Sequence, residues 1–122
     1  MNSLQLTNRM RRVRPFSEVV PADKLPSVIK RRPKVYIVNT NESHQPGRHW
    51  VAFYFPSRGP AEFFDSIGHP PDYYHKRFKT VLLNNSRRYI YNDKRLQQYG
   101  TMTCGQFCLF YVIHRSRDWS MR

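Results

Sequence analysis

The run Trp50-Val51-Ala52-Phe53-Tyr54-Phe55, the break Pro56-Ser57-Arg58-Gly59-Pro60 and the run Ala61-Glu62-Phe63-Phe64-Asp65 decide the fold. Both flanks are aromatic and apolar and the break holds two prolines and a glycine, so the segment predicts an antiparallel hairpin. Upstream, Val35-Tyr36-Ile37-Val38 reads as a further strand, and Asn39 to Arg48 as a polar loop with Pro46 and Gly47. Pro15, Pro21, Pro26 and Pro33 punctuate an irregular stretch before it. Residues 1–14 predict a short, fraying basic helix with Leu4, Leu6 and Met10 as its weak apolar positions. Downstream of Pro70-Pro71, Asp72 to Leu83 predicts a helix with Tyr74, Phe78 and Val81 as its apolar stripe. Arg88 to Tyr91 makes a short strand, Gly100 to Thr103 a loop, and Cys104 to Arg115 a buried helix. That order of elements is an α+β domain spanning 1–122 as one unit.

Composition bounds the function. With 39% hydrophobic and 15% aromatic residues among 122, the chain is too rich in core formers for a disordered tail. No apolar run approaches the roughly 20 residues that span a bilayer, and Met1 to Arg14 has no signal-like apolar region. Cys104 and Cys108 lie within one predicted helix, a poor disulfide framework, so the expected setting is reducing and intracellular, the nucleus included. Lys and Arg number 21 against 8 Asp and Glu, a net charge of +13 that attracts polyanions, nucleic acid above all. Tyr73-Tyr74-His75-Lys76-Arg77 interleaves rings and bases, a pattern that can stack on nucleic acid but fits an amphipathic helix better.

Three positions combine into a chemistry. A hairpin turning at Arg58 or Gly59 brings His49 and Asp65 together at its open end, where a carboxylate would fix the tautomer of the imidazole. Taken alone, Asp65-Ser66 would simply open a turn. Cys104 stands where a polar loop meets an apolar helix, and a thiol at a helix N-terminus is biased toward thiolate, the nucleophilic form. Cys108, one turn further in, reads as core. Gln98, or the adjacent Gln97, could aim a side-chain amide at the oxygen that gains charge during acyl transfer, with the Cys104 backbone N–H as second donor. The histidines and cysteines show no zinc-site spacing, so no metal is expected.

The blocks His49-Trp50-Val51-Ala52-Phe53-Tyr54-Phe55, Phe63-Phe64-Asp65-Ser66-Ile67-Gly68 and Gln97-Gln98-Tyr99-Gly100-Thr101-Met102-Thr103-Cys104-Gly105-Gln106-Phe107 occur in that order. Together they resemble the clan of the SUMO-specific proteases and the adenovirus protease, adenain. Pro21-Ala22-Asp23-Lys24-Leu25-Pro26 and Tyr36-Ile37-Val38-Asn39-Thr40 bring the likeness closest to the adenain-like cysteine proteases of DNA viruses and virus-like transposons in animal genomes. The resemblance covers roughly Pro21 to Trp119. It implies a papain-like core, with a mixed or antiparallel sheet packed on the helix that begins at Cys104. It also implies His49 as base, Asp65 as its partner, Gln98 as oxyanion donor and Cys104 as nucleophile of a monomeric endopeptidase that cuts beside small residues, often Gly. The implied protein substrates are capsid precursors, or ubiquitin-like conjugates if the activity is that of an isopeptidase. No cofactor is chemically required, and DNA is the implied stimulating polyanion, bound by phosphate contacts without sequence reading. A catalytically inactive basic DNA-binding module on the same fold is the non-enzymatic alternative. Family members continue beyond the cysteine helix where this sequence ends at Arg122, so the resemblance implies a domain truncated at its C-terminus.

Overall fold

The computed structural model describes residues 2–10, 17–44, 49–94 and 104–120. Its frame is a five-stranded mixed sheet, built from β1 (Ser17–Pro21), β2 (Lys34–Asn39), β3 (Trp50–Phe55), β4 (Ala61–Phe64) and β5 (Tyr89–Tyr91), neighbouring in that order. The outer pairs β1–β2 and β4–β5 are parallel, and β2–β3 and β3–β4 are antiparallel. Three α-helices, α1 (Ser3–Met10), α2 (Lys76–Asn85) and α3 (Cys104–Ser120), and two 3₁₀ turns, Ala22–Lys24 and Pro71–Tyr73, complete the described elements.

Alternation sorts the strand side chains onto two faces. Tyr36, Val38, Val51, Phe53, Phe55, Ala61 and Phe63 pack with Phe78, Val81 and Leu82 of α2. Val35, Ile37, Trp50, Ala52, Tyr54 and Phe64 pack on the other face with Leu6 and Met10 of α1 and Cys108, Leu109 and Val112 of α3. Helices therefore cover both sides of the sheet, and all six residues of β3 are buried. This is why β3 reads as a continuous apolar run rather than an alternating one.

The hairpin forms between β3 and β4, turning through Gly59 at φ 92°, a left-handed conformation that glycine adopts without steric cost. Ala52 pairs with Phe64 and Phe53 with Phe63, a register in which His49 and Asp65 sit diagonally rather than directly opposite.

The irregular stretch predicted before β2 holds a strand, β1, in parallel register with β2. Four residues of Ser-Glu-Val-Val followed by Pro21 are too short a signal to read as a strand without the partner. The loop that follows is tied to α2 by side chains. Arg77 donates to the carbonyls of Ala22 (3.0 Å) and Leu25 (2.9 Å), while Asn85 donates to Ser27 O and accepts from Ile29 N at 2.8 Å. Arg77 thus ties this loop to the first turn of α2.

The predicted helix at 72–83 begins later. Pro71–Tyr73 forms a single 3₁₀ turn, and α2 starts at Lys76 because His75 caps it, its ring accepting from Arg77 N. Tyr74 consequently lies outside the helix. At the N-terminus, Asn2 and Gln5 exchange side-chain and backbone hydrogen bonds at 2.9 Å, a reciprocal cap that fixes α1. Leu6 and Met10 are buried, whereas Leu4, predicted to join them, is exposed. Among the described residues, no helix is long and apolar enough to cross a membrane.

Candidate active site

His49 precedes β3, Asp65 follows β4 and Cys104 opens α3, so three elements converge at one end of the central strands. His49 Nε2 lies 2.6 Å from Asp65 Oδ1. His49 also hydrogen-bonds the Cys104 thiol. With Nε2 committed to Asp65, the nitrogen left for the sulfur is Nδ1. The three side chains thus form a row: thiol, imidazole, carboxylate.

Asp65 is fully buried, and its oxygens are saturated. Oδ1 accepts from His49 and from Ile67 N at 3.2 Å; Oδ2 accepts from His69 N at 2.9 Å and from the Tyr74 hydroxyl at 2.5 Å. Burial works to raise the carboxyl pKa, but hydrogen bonds from His49, Tyr74 and the two backbone N–H groups outweigh it and hold Asp65 below its ordinary value. Gly68, at φ 92°, makes the turn in which Gly68 N bonds Asp65 O and His69 N can face the carboxylate. The Asp65 backbone is clamped as well. Asp65 N donates to Asn92 Oδ1 at 2.9 Å and Asn92 Nδ2 returns a bond to Asp65 O, so a side-chain amide extends the β4–β5 ladder by one step.

Burial also works against a charged His49. The bonds to Asp65 and Cys104, with the charges of both, overcome it and raise the ring to about 9. At Cys104 burial opposes ionisation, and the His49 hydrogen bond, the N–H groups of Trp50 and Gly105 and the imidazolium charge bring the thiol below its ordinary value. A raised imidazole beside a lowered thiol favours the thiolate–imidazolium pair at neutral pH.

Cys108 behaves differently. It is fully buried and donates to Trp50 O at 3.2 Å; burial, then the charges of Cys104 and Asp65, push its thiol far up. Trp50 N meanwhile donates to Cys104 Sγ at 3.4 Å. One peptide residue, next in sequence to the imidazole, is therefore held by both sulfurs.

The structure thus brings His49, Asp65 and Cys104 together, while Gln97 and Gln98 lie outside the described residues. Sequence reasoning missed Tyr74 and Asn92. The apolar spacing puts Tyr74 on a helix face; the Pro70-Pro71 punctuation upstream is the available signal that a turn aims it elsewhere. Asn92 carried no signal, since its role depends on the β4–β5 pairing. Among the described residues, no three His, Cys, Asp or Glu side chains converge as metal ligands.

No protein-family model and no curated protein matches the chain. Among solved structures it is similar to the selenomethionine crystal structure of the ASFV pS273R protease, with a TM-score of 0.44 and 31% identity over 68% of this chain. The chain spans 34% of the length of that protease.

Proposed function

We infer that the chain is a cysteine peptidase in which Cys104 attacks a peptide carbonyl, His49 carries the proton and Asp65 orients His49. The row of Cys104, His49 and Asp65, with its opposed thiol and imidazole pKa shifts, is the observation that carries this reading. The thiolate adds to the carbonyl carbon, and the resulting oxyanion takes hydrogen bonds from the Cys104 backbone N–H and from Gln98. The tetrahedral species collapses as His49 protonates the leaving amine, giving a thioester on Cys104. Water, deprotonated by His49, then attacks the thioester, releases the acid and restores the pair. Asp65 keeps the proton on Nε2 and Nδ1 facing the sulfur throughout.

The sequence resemblance supplies the finer reading: a cut beside small residues, often Gly, in a capsid precursor, with ubiquitin-like conjugates as the competing substrate class. It also supplies DNA as a stimulating polyanion. The exposed bases Lys30, Arg31, Arg32, Arg87 and Arg88 favour phosphate contacts. The deciding experiment incubates the protein with iodoacetamide and with Gly-containing peptides and ubiquitin-like fusions. Alkylation at Cys104 together with cleavage supports the peptidase; a chain that binds DNA but leaves every substrate intact is the inactive basic module instead.

A further inference from the structure

Beyond His49 the rings continue outward to solvent. Tyr74, whose hydroxyl holds Asp65, lies 5.2 Å from the His49 ring at a tilt of 31°. Tyr73 meets Tyr74 edge-on at 5.0 Å, and His69 stacks flat on Tyr73, with centroids 3.9 Å apart and planes 11° from parallel. His69 is fixed from below, because its backbone N–H is bound to Asp65. Tyr73 nevertheless remains 63% exposed. A large ring already stacked on one side and open on the other offers contact area with little conformational entropy left to lose on binding.

The direction in which a substrate would meet this surface follows from the proton transfer. His49 must protonate the departing amine, so the half of the substrate that leaves lies on the His49 side of Cys104. The two ring nitrogens of His49 point opposite ways, Nδ1 to the sulfur and Nε2 to Asp65. On a path over the His49 ring, the leaving half would run toward the Tyr74, His69 and Tyr73 rings, with the acyl half extending the other way.

We propose that Tyr73, backed by His69, is a specificity-determining residue for the leaving side of the scissile bond, receiving a large apolar or aromatic side chain from one of the first two residues after the cut. The proposal rests on the peptidase reading. An acidic side chain would meet the electron-rich ring faces and the exposed Asp72. A basic one would be drawn to Asp72 and the ring faces at close range, but must give up its hydration there and approach a chain of net charge +13. An apolar ring or branched chain meets neither penalty.

The test is a panel of peptides sharing one acyl half and carrying Phe, Leu, Gly, Lys or Glu at the first or second position after the cut. Wild type should cleave the Phe or Leu peptides with kcat/KM about 3- to 10-fold above the Gly peptide, the size of an aromatic contact of about 0.5–1.5 kcal/mol. Tyr73→Ala should reduce that ratio to about one, and Tyr73→Phe, which keeps the ring, should retain it. A ratio unchanged in Tyr73→Ala, or Lys or Glu preferred over Phe, would overturn the proposal and leave the peptidase standing. Wild type that cleaves none of the panel would overturn the peptidase reading, and this assignment with it.

Discussion

Replacing Asp65 by Asn changes one oxygen for an amide and leaves shape nearly intact, yet four donors converge on the carboxylate. If the amide oxygen faces His49 and Ile67 N, the new NH₂ faces the Tyr74 hydroxyl and His69 N. The hydroxyl can rotate to accept; the backbone N–H cannot. One buried donor is stranded, at about 1–3 kcal/mol, which for a domain of this size lowers Tm by roughly 4–12 °C. The flipped amide is worse, because Nε2 would have to accept, placing the proton on Nδ1 against the sulfur. In the better orientation His49 exchanges a charged acceptor for a neutral one. A hydrogen bond to a charged group contributes about 1.5–3 kcal/mol and a neutral one about 0.5–1.5, a difference that lowers the imidazole pKa by about one pH unit. The imidazolium is the proton donor, so activity is lost as pH rises through the His49 pKa. The wild-type alkaline limb of kcat/KM should fall near 9, and the variant's about one pH unit lower. Stability linked to His49 has the same sign, being full below the ordinary value of 6.5 and lost as pH rises through about 9. Calorimetry and the pH profile measure both effects, with an NMR titration of the His49 ring as an activity-independent check. A limb and a titration that stay near 9, with Tm unchanged, would refute the assignment of Asp65 as the charged partner.

Cys104→Ala and His49→Ala should each abolish turnover while Cys108→Ala leaves it nearly intact; mass-spectrometric mapping of an iodoacetamide adduct to Cys108 would reverse the choice of nucleophile. Gln98→Ala should lower kcat by roughly 10²–10³, the loss typical of one oxyanion donor. Unchanged turnover there, with loss in Gln97→Ala, would move the role back one residue. Asn92→Ala removes two hydrogen bonds to the Asp65 backbone and should lower stability by about 1–3 kcal/mol, read as a shift in denaturation midpoint. DNA affinity should be indifferent to duplex sequence and fall steeply with salt, the log–log slope reporting the phosphates neutralised; affinity flat across a salt series would exclude the electrostatic account.

The central hairpin and β2 were legible because their apolar runs are continuous and bounded by Pro or Gly, and because β3 and β4 pair through a short turn. The meeting of His49 with Asp65 was legible for the same reason: a hairpin fixes which residues share its open end, although the real register is diagonal. Cys104 at a helix start was legible from the switch between a polar loop and an apolar run. What sequence could not give was long-range. β1 is a strand only because β2 lies beside it, and Asn92 reaches Asp65 only because β5 pairs with β4. Tyr74 falls outside the helix because the helix starts at Lys76 rather than Asp72, where His75 as cap outweighs the apolar spacing.

The burial of β3 on both faces bears on when, rather than where, the site exists. From Val51 onward its amides lie in the sheet between two helix layers, so they should exchange with solvent only when the whole domain opens. His49 is attached directly to that strand and Cys104 to the first turn of a helix, where fraying begins. Partial opening would therefore carry the sulfur away from a base that has not moved, and reclosing would return it to an imidazole already in register. Hydrogen exchange should accordingly find the Val51–Phe55 amides among the slowest in the chain, with those at the start of α3, and the Trp50 N–H that donates to Cys104 Sγ, much faster.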